Sequence, residues 1–389
     1  MIKFPAFSSL FGKVKMKYFV NYIIVGVTLL AFLIVALTGG MKASTNELLL
    51  KISISVVLAV SLSIVVGFLG ELSLGHAGFM CVGAYIGSKA AVMLSGALGN
   101  GILTFIVSLI AGGASAALCG FIIGIPTLRL RGDYLAIVTL AFGEIVKVIF
   151  QQSKAFGGNL GFDTLRYNRT FRDWFFVIAL VLVLITLAVT QNMIRSKHGR
   201  AITAIRDNEI AAKATGVAVT KYKLMAFIVA AFFAGIAGVM FSCTFSTVQA
   251  PKFGYNYSIE ILVMVVLGGM GNITGSILSA ALITFLNVKL STVLTGDLAV
   301  LKDLVYALIL IVIVIYTNAP KLKSFREKHN LEALKARIFR RKQDPSFVKD
   351  DDAQWSNIPT KIKMDELLSI DVIPQESVQK PDKGGNDNE

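Results

Sequence analysis

The residues able to do chemistry in this chain are few, and they sit where the surrounding sequence is apolar. Glu71 and His76 lie in Gly70-Glu-Leu-Ser-Leu-Gly-His-Ala-Gly-Phe79, between the apolar runs 52–69 and 80–94. Glu144 has Lys147 three residues on, so the two can pair on one helix face. Glu260 precedes a second glycine-rich run, Gly268-Gly-Met-Gly-Asn-Ile-Thr-Gly275. Ionisable groups and non-helical backbone at membrane depth are tolerated only inside protein or along a water-filled path. Both glycine-rich stretches are therefore expected to be helix breaks lining a pathway. Glu71, Ser73, Gly75, His76, Gly78 and Phe79 would serve at the first break. Gly268, Gly269, Gly271 and Asn272 would serve at the second, with Glu144 and Glu260 beside them. Two of these have a plainer reading. The Glu144–Lys147 pair could exist because Lys147 reaches the outer interface, and His76 could cap or pack a helix while the glycines carry the function.

The chemistry that is missing narrows the classes. No Gly-x-x-x-x-Gly-Lys-Ser/Thr run occurs, so no P-loop is available to cradle ATP. His76, His198 and His329 are far apart and show no metal spacing. No Gly-x-Ser-x-Gly nucleophile turn occurs. The chain is thus expected not to be an enzyme and to carry no cofactor. The intramembrane acids keep an ion-coupled carrier open as an alternative.

Bulk composition sets the frame. The chain has 389 residues, 55% hydrophobic and 16% charged, against about 25% charged in soluble domains. Mean hydropathy is +0.70. Long unbroken apolar runs exclude the ten-residue alternation of a membrane β-barrel. The net charge of +14 is read as the Lys/Arg excess of cytoplasmic loops, not as a nucleic-acid surface. Cys81, Cys119 and Cys243 fall in apolar segments and read as small packing residues. The expected fold is all-α: a polytopic membrane bundle of about ten segments, broken or re-entrant ones included, with both termini cytoplasmic.

In order, a basic N-terminus (1–17) precedes a transmembrane domain (18–318). Apolar segments are read at 18–38, 47–69, 80–94, 98–125 and 134–151. They continue at 173–193, 224–245, 258–267, 277–290 and 298–317. Gly83 and Gly87 stand four apart, a spacing that lets helices approach closely, and the run 234–238 is again rich in small residues. Pro126 is expected to end its helix. The outer loop 153–172 is basic and reads as a partner-docking surface. A basic amphipathic segment (319–343) suits the anionic inner leaflet, and an acidic tail (344–389) reads as disordered.

The internal loop 195–223 is strongly basic, which places it in the cytoplasm. Ile202 and Ile205 share one helix face, and Ile210, Ala214 and Val217 another. Asp207-Asn208 between them can end one short helix and cap the next. A structured loop of this kind reads as a docking element for a soluble partner, or as helices lying on the membrane surface.

Four blocks in order carry a family resemblance: 70–79 with Gly83-Ala-Tyr85, 128–140 with Glu144, 199–216, and 267–275. Together they resemble permeases of the branched-chain amino acid ABC importers, the LivM type, over about residues 50–317. The resemblance implies a heterodimer with a second permease subunit, two cytoplasmic ABC ATPase subunits that bind the ATP, and an extracytoplasmic substrate-binding protein. It implies a bacterial inner-membrane location among membrane lipid. It also implies that 199–216 is the coupling helix, with Gly199, Arg200, Ala201, Arg206, Asp207, Asn208, Ala211, Ala212 and Gly216 at the ATPase contact. Urea, short amides or a sugar remain alternative substrates, since related permeases share parts of the pattern.

Overall fold

The structure is a computed structural model. It describes residues 43–293, except 100, 129, 131, 166–174 and 246, together with positions 25 and 26 and a few positions between 304 and 311. Apart from those few positions, the expected segments at 18–38 and 298–317 lie outside the described residues, as do the N-terminus (1–17), the basic segment at 319–343, the tail at 344–389 and the basic half of loop 153–172.

Among the described residues the chain is helical. Helix α1 (Ala43–Ser63) continues as a π-helical turn, Ile64–Leu69, and stops at Gly70. After the break come α2 (His76–Leu98), α3 (Ile102–Thr127), α4 (Asp133–Gln152) and α5 (Phe175–Arg195). Two short helices follow, α6 (Lys197–Asp207) and α7 (Glu209–Ala214). Then come α8 (Val219–Thr244), α9 (Tyr255–Gly268) and α10 (Ile273–Val293). A two-residue antiparallel pair, β1 (Phe162–Asp163) with β2 (Thr247–Val248), joins the loops after α4 and α8.

Six of these helices are long and apolar enough to cross a membrane: α1 with its π-turn, α2, α3, α5, α8 and α10. Helix α4, with Glu144 and Lys147 inside it, and the 14-residue α9 fall outside that group. The chain is therefore a multi-pass all-α membrane protein. Several boundaries differ from expectation. The helical segment expected from 47 starts at Ala43, and α3 runs through Pro126 to Thr127, because a proline in the last turn removes only one backbone bond.

The core is built on small residues. Helix α8 packs most extensively on α2 and α3. Gly83 of α2 lies against Gly235 of α8, and Gly238 of α8 lies against the Met80 carbonyl, so backbones touch with no side chain between them. Gly112 and Gly113 of α3 meet the same surface, where a Cβ on Gly113 would stand 2.8 Å from the Phe232 ring. In lipid, where apolar surface gains nothing by leaving the solvent, such close van der Waals approach is what holds helices together. This packing fixes α1 and α2 against α8, and with them the break between the two.

Candidate site where two helix breaks meet the loop of short helices

The first break is shorter than expected. It covers 70–75, and the chain is helical again at His76, so His76, Gly78 and Phe79 belong to α2. The Gly75 carbonyl accepts the Gly78 amide at 2.9 Å and starts the helix. Other amides at this end are capped by neighbouring helices: Leu74 N–H donates to Thr139 Oγ1 of α4 at 3.0 Å, and Ala77 N–H to Ser258 Oγ of α9 at 3.1 Å. Gly70 is left-handed, at φ +79°, which ends the π-turn. A Cβ on Gly75 would stand 2.5 Å from the Thr139 carbonyl oxygen, and one on Gly78 2.7 Å from Gly143 Cα, so the break threads against α4 backbone.

The second break is a tight turn. Gly269 and Gly271 both have positive φ, +88° and +82°. Asn272 Oδ1 accepts the Gly275 amide at 3.3 Å and caps α10. Gly268 and Gly275 pack backbone to backbone, which lets α9 and α10 fold back on each other.

The two breaks touch. A Cβ on Gly67 would stand 2.7 Å from the Gly271 amide nitrogen. Arg206 of α6 sits over this junction. One guanidinium nitrogen donates to the Gly67 carbonyl at 3.0 Å. Its stem lies where a Cβ of Gly70 would be, 2.6 Å from Cγ, and its Nη1 would stand 3.3 Å from a Cβ on Gly271. The loop is joined to the first break a second time through Lys223 of α8. Its ammonium forms an ion pair with Glu71 and a second one with Glu209 of α7, at 3.2 Å. The side chains are 5% exposed for Lys223 and 12% for Glu71. The other Glu71 oxygen, Oε2, is buried without a hydrogen-bond partner, as is Ser73 Oγ. Two carboxylates around one ammonium, plus a guanidinium on a carbonyl, make an electrostatic latch between loop and breaks. In a low-dielectric site such bonds are strong and costly to leave half-made.

The remaining residues of the first break are packed. His76 is buried, its Nε2 at 2.8 Å from Ser61 Oγ of α1. Phe79 is buried between Phe142, with ring centroids 5.0 Å apart, and Phe227, edge-on at 5.4 Å. Glu144 pairs with Lys147, and its Oε1 accepts the Tyr255 amide at 2.8 Å. It is therefore the N-terminal cap of α9, joining α4 to the half-length helix. Glu260 of α9 accepts from Asn287 Nδ2 of α10 at 2.9 Å.

The loop itself folds as two capped helices. Ser196 caps α6 through His198 N–H at 3.2 Å, and Asn208 caps α7 through Ala211 N–H at 3.0 Å. Ile202 and Ile205 are buried, as expected from their shared face. The α7 face differs: Ala212 is the buried residue, while Ile210 is 74% exposed. A six-residue helix has room to bury only one position against α8, and the small alanine fits there. Gly199 is buried against the Ile194 backbone and makes the tight turn from α5. Arg200, Asp207, Asn208, Ala211 and Gly216 are exposed, and Ala201 is half-buried. Lys223, Thr139 and Ser258 were not singled out by sequence reasoning. Lys223 looks like the end of a basic loop, and only its position two residues past Lys221 at the head of an apolar helix hints that it turns inward.

Proteins similar to this chain include three branched-chain amino acid permeases. The high-affinity branched-chain amino acid transport system permease protein LivM of Salmonella typhimurium is 35% identical over 287 residues, 66% of this chain and 66% of that protein. LivM of Escherichia coli matches with the same identity and coverage. The probable branched-chain amino acid transport permease protein LivM of Methanocaldococcus jannaschii is 29% identical over 189 residues, 46% of this chain and 53% of that one. The chain thus spans just under two thirds of the length of the first two. A family model matches residues 44–314, which includes both breaks and the loop that binds them, and on that match the chain belongs to the family of branched-chain amino acid transport system permease components.

Proposed function

We propose that this chain is a membrane permease subunit of an ABC importer and forms the translocation pathway for branched-chain amino acids. The observation that carries the reading is the latch: one cytoplasmic loop, capped and folded as two helices, is bonded to the first helix break through Arg206 and Lys223, and Arg206 also packs against the second at Gly271. A chain with no nucleotide site needs a lever of this kind to receive work done in trans. In this reading two cytoplasmic ATPase subunits bind the ATP and grip the exposed edge of α6 and α7, at Asp207, Asn208, Ile210, Ala211 and Gly216. Closure of the ATPases moves Arg206 and Glu209, and the breaks at 70–75 and 269–272 follow, opening the path to one side and then the other. A second permease subunit completes the pathway, and an extracytoplasmic binding protein delivers the solute. The chain itself performs no bond-making chemistry, holds no cofactor and binds no nucleic acid. It resides in the bacterial inner membrane, surrounded by lipid, with about ten segments and both termini in the cytoplasm.

Reconstitution with its partners tests this. Ala211→Arg adds a charge at an exposed position and leaves the α7 cap in place. It is expected to abolish leucine uptake while the melting temperature in detergent holds. Intact uptake and intact ATPase stimulation would sink the docking role. Uptake by the purified chain in liposomes under an ion gradient alone would instead establish the ion-coupled carrier. Competition of labelled leucine uptake by ribose or urea separates the alternative substrates.

A further inference from the structure

A cleft in the outer half of the bundle holds charges of both signs. It is about 210 Å³ in volume and lies between α1, α8, α9 and α10. Lys51 of α1 and Glu260 of α9 line it, with Thr284 and Asn287 of α10. Ile54 of α1 and Phe241 of α8 supply apolar wall. Its depth follows from helix direction. The cleft lies toward the starts of α1 and α9 and toward the end of α10, on the far side of these helices from the breaks and the latch.

Three features separate this cleft from an ordinary packing gap. First, a lysine and a glutamate from different helices share one small space, and ionisable groups at such positions are kept for function. Second, the Thr284 hydroxyl is buried and has no hydrogen-bond partner. Buried hydroxyls are normally satisfied, so an orphan on a cleft wall marks where a polar group of a ligand would sit. Third, the charges are held in place. Asn287 Nδ2 donates to Glu260 at 2.9 Å, and Lys51 is braced by Glu47 at 2.9 Å one turn nearer the surface. The space is smaller than the roughly 300–1,000 Å³ of pockets for drug-sized ligands, so it suits a small metabolite.

We propose that this cleft is a solute site for a zwitterionic amino acid. The solute's ammonium faces the Glu260 carboxylate, and its carboxylate faces the Lys51 ammonium and the Thr284 hydroxyl. Its aliphatic side chain lies on Ile54 and Phe241. The inference rests on the importer reading for the substrate class. It adds the place in the outer half where the solute is held. Because Glu260 is on α9, which ends at the second break, occupancy of the cleft bears directly on the element the cytoplasmic loop contacts. A phosphatidylethanolamine headgroup also carries an ammonium and an anion, so the experiment separates the two sources.

The test uses the purified importer complex in nanodiscs, without the binding protein, and radiolabelled leucine. Two analogues are competitors: leucinamide, which lacks the carboxylate, and 4-methylpentanoate, which lacks the ammonium. Lys51→Met and Glu260→Gln are each expected to weaken leucine binding by about tenfold or more, the loss of a hydrogen bond to a charged group. Lys51→Met should also erase the preference for leucine over leucinamide, and Glu260→Gln the preference over 4-methylpentanoate. A merely structural role would not produce that charge-matched exchange. If either variant fails to fold, Thr284→Val, which changes one buried group for an isostere, should still weaken binding about threefold. Unchanged leucine affinity in folded variants overturns the site. So does native mass spectrometry showing a phosphatidylethanolamine retained by the native complex and lost from Glu260→Gln, with no leucine bound by either. Leucine uptake by the native importer with its binding protein, measured alongside, judges the importer reading separately.

Discussion

The two helix breaks look alike in sequence and differ in construction. The first, 70–75, is a buried connection with a carboxylate in it. Its amides are capped by α4 and α9, and its acid is held by a lysine from α8. The second, 269–272, is a glycine turn with no charge, two positive-φ residues and Met270 66% exposed. They meet at Gly67 and Gly271, and Arg206 covers both. In the proposed mechanism this difference is how one loop drives two elements: the first break, tied by charge, would follow the loop closely, and the second, tied by contact alone, would follow the first. Their local sequences match poorly because one is a threaded connection and the other a hairpin, and the two place different demands on side chains.

Removing the charge at the first break is expected to have the largest effect. Lys223→Met leaves Glu71 and Glu209 without their shared ammonium, at a cost of about 3–5 kcal/mol for a broken buried pair. Folded yield and detergent melting temperature should both fall. Adding Glu71→Gln should restore part of the loss, and no restoration would mean the two are not coupled.

Filling the junction comes next. Gly67→Ala drives a methyl into the Gly271 backbone and should cost about 1–3 kcal/mol as overpacking, with uptake reduced further than stability. Gly269→Ala is the contrasting case. It has open space around it and is strained only by φ +88°, about 1–2 kcal/mol, so its uptake defect should be smaller than that of Gly67→Ala. The reverse order would show that the hairpin, not the junction, sets the motion.

Arg206→Met removes the bond to the Gly67 carbonyl. Arg206 is part-exposed, so its effect on stability should be under about 1 kcal/mol after solvent screening. The readout is coupling: ATP hydrolysis by the assembled complex should continue while uptake drops. Tight coupling in this variant would assign the loop's grip to Lys223 alone. The smallest effect belongs to Glu144→Gln, at a residue that bonds to neither break. Glutamine still accepts the Tyr255 amide and loses only the part-exposed Lys147 pair, a change of under about 1 kcal/mol in melting.

Local and tertiary information separate cleanly in this molecule. Apolar runs, glycine spacing and segregated charge are enough to read a polytopic helical bundle, because bilayer thickness and backbone satisfaction leave few other solutions. The capped helix pair at 197–214 was legible for the same local reason, since Asn208 bonds an amide only three residues away. The inward face of Ile202 and Ile205 was legible from helical period, while the burial of Ala212 in place of Ile210 was not, because it depends on what α8 leaves room for. Sequence placed Glu71, Glu144 and Glu260 inside the bundle and named one local partner, Lys147 three residues from Glu144, but none of their distant ones. Those partners, Lys223, the Tyr255 amide and Asn287, stand 152, 111 and 27 positions along the chain, and only packing brings them together. A carboxylate in an apolar run announces that it must be satisfied. Which group satisfies it, and so whether it latches a loop, caps a helix or faces a cleft, is decided by how the helices cross.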